Sequence, residues 1–134
     1  MDRFRHLVSE PLVAVAAFLV FYAGAWATGM RFRMWYVDEG WQMLPRDALT
    51  AEPLESVWFL HIQPPLWNLT VGLVLRLSPL PDAISLQLLM LGFACILVFL
   101  LADITWRLTH QRAISIAVPL VAALHPDVFA NVLE

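Results

Sequence analysis

Pro11 to Met30 carries no charged side chain, and Ala83 to Leu108 is apolar apart from Gln87, Asp103, Arg107 and the hydroxyls of Ser85 and Thr105. Apolar stretches of about 20 residues match the ~30 Å hydrocarbon core of a bilayer when they are helical. A helix is also the form that satisfies every backbone polar group without water. Composition agrees, with 60% hydrophobic and 14% charged residues, where soluble domains carry about 25% charged residues. The mean hydropathy is +0.71. The chain therefore reads as an all-α integral membrane protein. At roughly 20 residues per span, its 134 residues form a single module of three transmembrane helices, or four, with a large outer first loop that carries short interfacial helices.

Met1 to Glu10 is polar and holds Arg3, Arg5 and His6 ahead of the first span, 11–30. Basic residues are retained on the cytoplasmic side, so the N-terminus is expected there. Pro11 takes the first-turn position that a helix tolerates. Ala25-Trp26-Ala27 mimics a small-x-small cleavage site, but the apolar run ahead of it is too long for a signal peptide. The outer loop, 31–65, holds Trp35, Tyr36, Trp41 and Trp58, rings that settle at headgroup level. Pro45, Pro53, Pro64 and Pro65 divide it, leaving room for short interfacial helices at Arg46 to Ala51 and Leu54 to Leu60.

The segment 66–78 is short for a span and contains Asn68, Thr70 and Arg76, with Pro79 and Pro81 close behind. If it crossed, Arg107 and Arg112 would lie outside. If it stays in the outer interface or spans halfway, they fall in the cytoplasm, the arrangement that the charge bias favours. A second span, 83–108, then runs inward, and the basic turn Thr109 to Arg112 reverses the chain. A third helix, 113–134, runs outward, with Pro119 and Pro126 inside it. The lysine-free composition fits the codon bias of a GC-rich bacterium, so the bacterial inner membrane is the expected location of this multi-pass chain. It stops without a polar tail and reads as the front part of a longer or split protein.

Several function classes are disfavoured. A net charge of -3 argues against a nucleic-acid partner. The single cysteine, Cys95, supports no disulfide or zinc cluster. No phosphate-binding glycine loop, zincin helix or nucleophile elbow occurs.

Chemistry is instead expected in the outer loop. Asp38 and Glu39 are adjacent carboxylates beside the mouth of a membrane helix, where acids are expensive to place. A carboxylate there can serve as general base toward a hydroxyl or amine. The plainer reading is that Asp38 caps a short helix and Glu39 faces water. In His61-Ile62-Gln63-Pro64-Pro65-Leu66-Trp67-Asn68, the paired prolines hold His61 and Gln63 at a rigid corner, where an imidazole can donate to a phosphate. An idle interfacial histidine is the plainer alternative. Arg31 and Arg33 follow the first span on the outer side, against the charge rule, and can grip a phosphate or simply snorkel to headgroups. His125, Asp127, Asn131 and Glu134 are polar groups near the outer end of the third helix, and Asp127 can do no more than complete a helical turn after Pro126. Asp103 and Arg107 are spaced for an ordinary ion pair. Asn68-Leu69-Thr70 matches the glycosylation pattern but sits at a helix start beside the bilayer, and is discounted.

Asp38-Glu39 followed by His61-x-x-Pro64-Pro65-Leu66-Trp67, set between long apolar helices, resembles the N-terminal portion of the GT-C class of membrane glycosyltransferases. That class includes protein O-mannosyltransferases and aminoarabinose transferases acting on lipid A. The resemblance covers most of the chain and implies transfer of a sugar from a polyprenyl-phosphate donor to an acceptor on the periplasmic face. It implies that Asp38 is the base, with Glu39 its neighbour, and that His61, Gln63, Arg31 and Arg33 bind substrate near the donor phosphate. Members of the class have more spans, so the resemblance also implies further helices or a partner subunit that complete the donor cavity. Some use a divalent metal; Asp38 and Glu39 alone do not make a metal site. The alternative of a different class is a small non-catalytic membrane subunit or assembly factor that binds lipid or a partner through its tryptophan-rich loop.

Overall fold

The computed structural model of the chain describes residues 2–29, 44, 46–52, 54–55 and 65–125, with the backbone alone at 2–8 and 46. Every regular element among them is a helix: α1 (Asp2–Ala27), α2 (Arg46–Ala51), α3 (Pro65–Leu77), α4 (Asp82–Thr109) and α5 (Arg112–Ala123). Two helices are long and apolar enough to cross a membrane, Ser9–Ala27 within α1 and Asp82–Thr109. The chain forms two compact units, one of Met1–Arg31 with Met90–Leu133 and one of Phe32–Leu89 with Glu134.

In the first unit, a stripe of small side chains draws three helices together. Ala94, Val98 and Ala102 recur every fourth residue on α4 and pack with Ala14 and Phe18 of α1 and Ala123 of α5. Small residues let helix backbones approach closely, and Phe18 fills the space that they leave. Phe18 is the largest wholly buried side chain among the described residues. Glu10, on α1, is buried; its Oε1 lies 3.6 Å from Nε of Arg112, the first residue of α5. Its Oε2 accepts a hydrogen bond from Ser9 Oγ at 2.7 Å.

That ion pair fixes a direction. With Arg112 held at Glu10 and Ala123 packed with Ala14 and Phe18, α5 must run parallel to α1. A tight turn joins α4 to α5, so α4 runs antiparallel to both. The turn uses His110 at φ 52°, the left-handed region that histidine enters more readily than most residues. The His110 ring meets Trp106 edge to face, with centroids 6.1 Å apart, and its amide donates to the Trp106 carbonyl at 2.9 Å.

The helix ends differ from expectation at one proline. α1 begins at Asp2, which puts Pro11 inside the helix and not at its first turn. The Leu7 carbonyl therefore lacks its usual donor four residues on. The Pro11 ring is wholly buried, so packing offsets that loss. α1 stops where Gly29 takes φ 99°, a conformation that glycine adopts without strain. Pro119 likewise lies inside α5 and is buried. Of the expected third helix, 113–134, the described part ends at Ala123; residues 126–134 lie outside the described residues.

The second unit is built on the amphipathic face of α3. Asn68, Val71, Gly72 and Leu75 are its buried residues, spaced as one helical stripe. α2 packs against this helix with Leu49 wholly buried. The expected short helix at Arg46 to Ala51 is thus present; of Leu54 to Leu60, only 54–55 are described, and they are helical.

Candidate functional site

Arg31, Arg33, Asp38, Glu39, His61 and Gln63 all lie outside the described residues, as do Asp127, Asn131 and Glu134. The described residues supply the frame from which the candidate segments leave. α3 starts at Pro65, directly after the segment His61 to Pro64 in the sequence. At the other side of the frame, Asn68 Oδ1 accepts the Leu44 amide at 2.8 Å. Arg76 NH1 donates to the Ala51 carbonyl at 3.3 Å, closing the end of α2. These two bonds tie the chain on either side of α2 to one helix.

Asn68 explains itself structurally. It is wholly buried, and Thr70 Oγ1 donates back to the Leu66 carbonyl at 2.8 Å. The glycosylation pattern is therefore closed off in the folded chain, as its place at a helix start suggested. Asp103 and Arg107 form the expected pair, with Nε to Oδ2 at 2.8 Å. His125 is exposed just after α5.

Two features escaped sequence reasoning. The first is Glu52 with Glu55. A hydrogen bond to Glu52, and then the negative charge of Glu52, raise the Glu55 pKa above its ordinary value of 4.5. Spacing of the two acids was the available signal. Because the folded-state value is raised, the stability gained from this shared proton is complete below the ordinary value and is lost as pH rises through the raised one. Replacing Glu52 with glutamine removes the like charge, and the Glu55 titration followed by carboxyl carbon NMR is expected to move back toward 4.5. An unchanged titration would separate the two groups.

The second feature is Gln87 on α4, which is 8% exposed. Its Nε2 is buried and has no hydrogen-bond partner among the described residues. A buried unsatisfied donor costs about 1–3 kcal/mol. Sequence alone marked it as a polar break in an apolar run, without revealing that it is unpaired.

Among the described residues, no group of three His, Cys, Asp or Glu side chains comes together to hold a metal ion. Asp38 and Glu39, the acids tied to a metal by resemblance, lie outside those residues. No family model matches the chain, and no curated protein or solved structure matches it.

Proposed function

We propose that the chain is a GT-C-like glycosyltransferase module that moves a sugar from a polyprenyl-phosphate carrier to an acceptor on the outer face of the bacterial inner membrane. The observation that carries this reading is the order of residues: Asp38-Glu39 and His61-x-x-Pro64-Pro65-Leu66-Trp67 share one segment between α1 and α4.

Membrane residence is supported by the surfaces of the long helices. Only 28% of each candidate span is buried. Val20, Phe21, Ile96 and Leu100 are more than half exposed, a pattern suited to lipid contact rather than water. Trp26 lies near the end of α1 opposite to Glu10 and Arg112, ~24 Å from Glu10 along the axis, which suits an aromatic residue at one interface and charges at the other.

The antiparallel course of α1 and α4 supports the topology. In the proposed topology the segment between α1 and α4 makes no net crossing, and α3, at 13 residues or ~20 Å, would lie in the outer interface. Its exposed Leu66 and Leu77 would enter the lipid while Arg76 reaches headgroups. Reporter fusions after Thr28 and after Leu80 are expected to mark the same, outer side, and a fusion after Gln111 the cytoplasm. Opposite signals at Thr28 and Leu80 would put α3 across the bilayer.

In the proposed reaction, the acceptor oxygen or nitrogen attacks the anomeric carbon from the side opposite to the carrier. The bond from that carbon to the phosphate oxygen breaks, and its electron pair leaves with the lipid phosphate. Asp38 takes the acceptor proton, with Glu39 beside it. Arg31, Arg33 and His61 stabilise the negative charge growing on the phosphate, and Gln63 hydrogen-bonds near it. The test is transfer of labelled sugar from a panel of polyprenyl-phosphate donors in membranes that carry the chain with its native genomic neighbours. Transfer that depends on Asp38 supports the reading; no transfer from any donor favours a non-catalytic membrane subunit.

A further inference from the structure

Among the described residues, the buried polar side chains are Glu10, Asn68, Ser85, Gln87 and Ser115. Glu10 is held by Ser9 and faces Arg112. Asn68 accepts from Leu44, and Ser115 donates to the Arg112 carbonyl at 2.9 Å. Ser85, close to Gln87 on α4, donates its hydroxyl toward Ser78 at 2.7 Å. Gln87 differs from all of them in having a buried Nε2 with no acceptor. Leucine or methionine would fill a similar volume without stranding a donor. A buried donor left without an acceptor points to an occupant that the fold does not supply.

Its position narrows the chemistry. Gln87 lies ~7.5 Å along the helix axis from Asp82, where α4 begins. With α4 entering from the outer face, that depth is the boundary between outer-leaflet headgroups and acyl chains. The acceptors available there to a membrane-embedded unit are the ester carbonyls and the phosphates of lipids, and a polyprenyl phosphate carries only the second kind. A charged phosphate oxygen also forms a stronger hydrogen bond with an amide than a neutral oxygen does. We propose that Gln87 is a lipid-phosphate ligand, its Nε2 donating to a phosphate oxygen of the polyprenyl-phosphate carrier. This rests on the donor class and topology proposed above. Nε2 is enclosed, so this binding requires the side chains around it to move apart.

The test uses the purified full chain in lipid nanodiscs, with wild type, Gln87→Leu and Gln87→Met. The probes are a polyprenyl monophosphate, the matching polyprenol and inorganic phosphate. Binding and the unfolding temperature without ligand are both measured. Wild type is expected to bind the polyprenyl monophosphate at least tenfold more tightly than either other probe. Both variants should unfold at or above the wild-type temperature and bind the lipid phosphate at least tenfold more weakly. Equal binding by wild type and variants overturns the role of Gln87 and leaves the transferase reading standing. Failure of wild type to prefer the lipid phosphate overturns both. Unfolding several degrees lower in both variants assigns Gln87 to structure and overturns the proposal.

Discussion

Asp38→Asn is expected to lower sugar transfer by about 10²- to 10⁴-fold, the usual contribution of a positioned general base. That corresponds to ~3–5 kcal/mol of lost transition-state stabilisation. Asparagine keeps the size and much of the hydrogen bonding of aspartate but cannot take the acceptor proton. The loss should fall on kcat, with the KM for the lipid-linked donor little changed, because the proton moves only as the new bond forms. Glu39→Gln is the informative companion. Neighbouring side chains point in different directions in both helices and strands, so two adjacent acids do not approach one proton equally well. A large loss at Asp38 with a smaller one at Glu39 is expected. Wild-type transfer in Asp38→Asn, at matched expression, removes Asp38 from the mechanism. The reverse order of losses moves the base to Glu39.

The long helices were legible in the sequence because their signal is an average over many residues. The boundaries 83–108 and 66–78 fall within a residue or two of α4 and α3, since prolines and a polar turn mark those ends locally. The Asp103 and Arg107 pair was legible for the same reason, a fixed spacing on one helix. Pro11 was misjudged because a proline also fits inside a helix when neighbouring helices bury it, and that packing is not written near residue 11. The contact between Glu10 and Arg112 joins opposite ends of the chain and has no local signature. It nevertheless sets the direction of α5, and with it the antiparallel course of α4.

The candidate site was legible in a different sense. Asp38, Glu39, His61 and Gln63 were chosen by residue type, by the cost of acids beside a membrane and by resemblance, none of which requires a distance. What the described residues contribute is the support for those segments. Asn68 is the clearest example: as a letter it suggested glycosylation, and as a buried amide holding Leu44 it ties the chain ahead of α2 to α3. Gln87 makes the converse point, since whether an amide is satisfied depends on neighbours that periodicity does not identify.

Phe18→Ala is expected to destabilise the first unit by about 3–5 kcal/mol, the range for truncating a buried aromatic. The wholly or nearly buried neighbours Ala14, Ala94, Ala102 and Ala123 are too small to swing into the space and Val98 is stiff at its first torsion, so any filling falls to the partly buried Tyr22, Leu91, Leu120 and Leu124 packed against the cluster. In a bilayer the separated helices remain in lipid, and the cost is then mainly lost packing between helices rather than exposure to water. That argument places the value toward the lower end of the range. Phe21→Ala provides the control, because Phe21 lies on the same helix but is 55% exposed, and its truncation should cost within about 0.5 kcal/mol. Both are measured by detergent-driven unfolding in mixed micelles, followed by circular dichroism. Equal costs at the two phenylalanines would contradict the arrangement in which α1 turns Phe18 toward α4 and α5. Because α1 leads directly into the segment that holds Asp38, Phe18→Ala should also reduce sugar transfer, whereas Phe21→Ala should leave it near the wild-type rate.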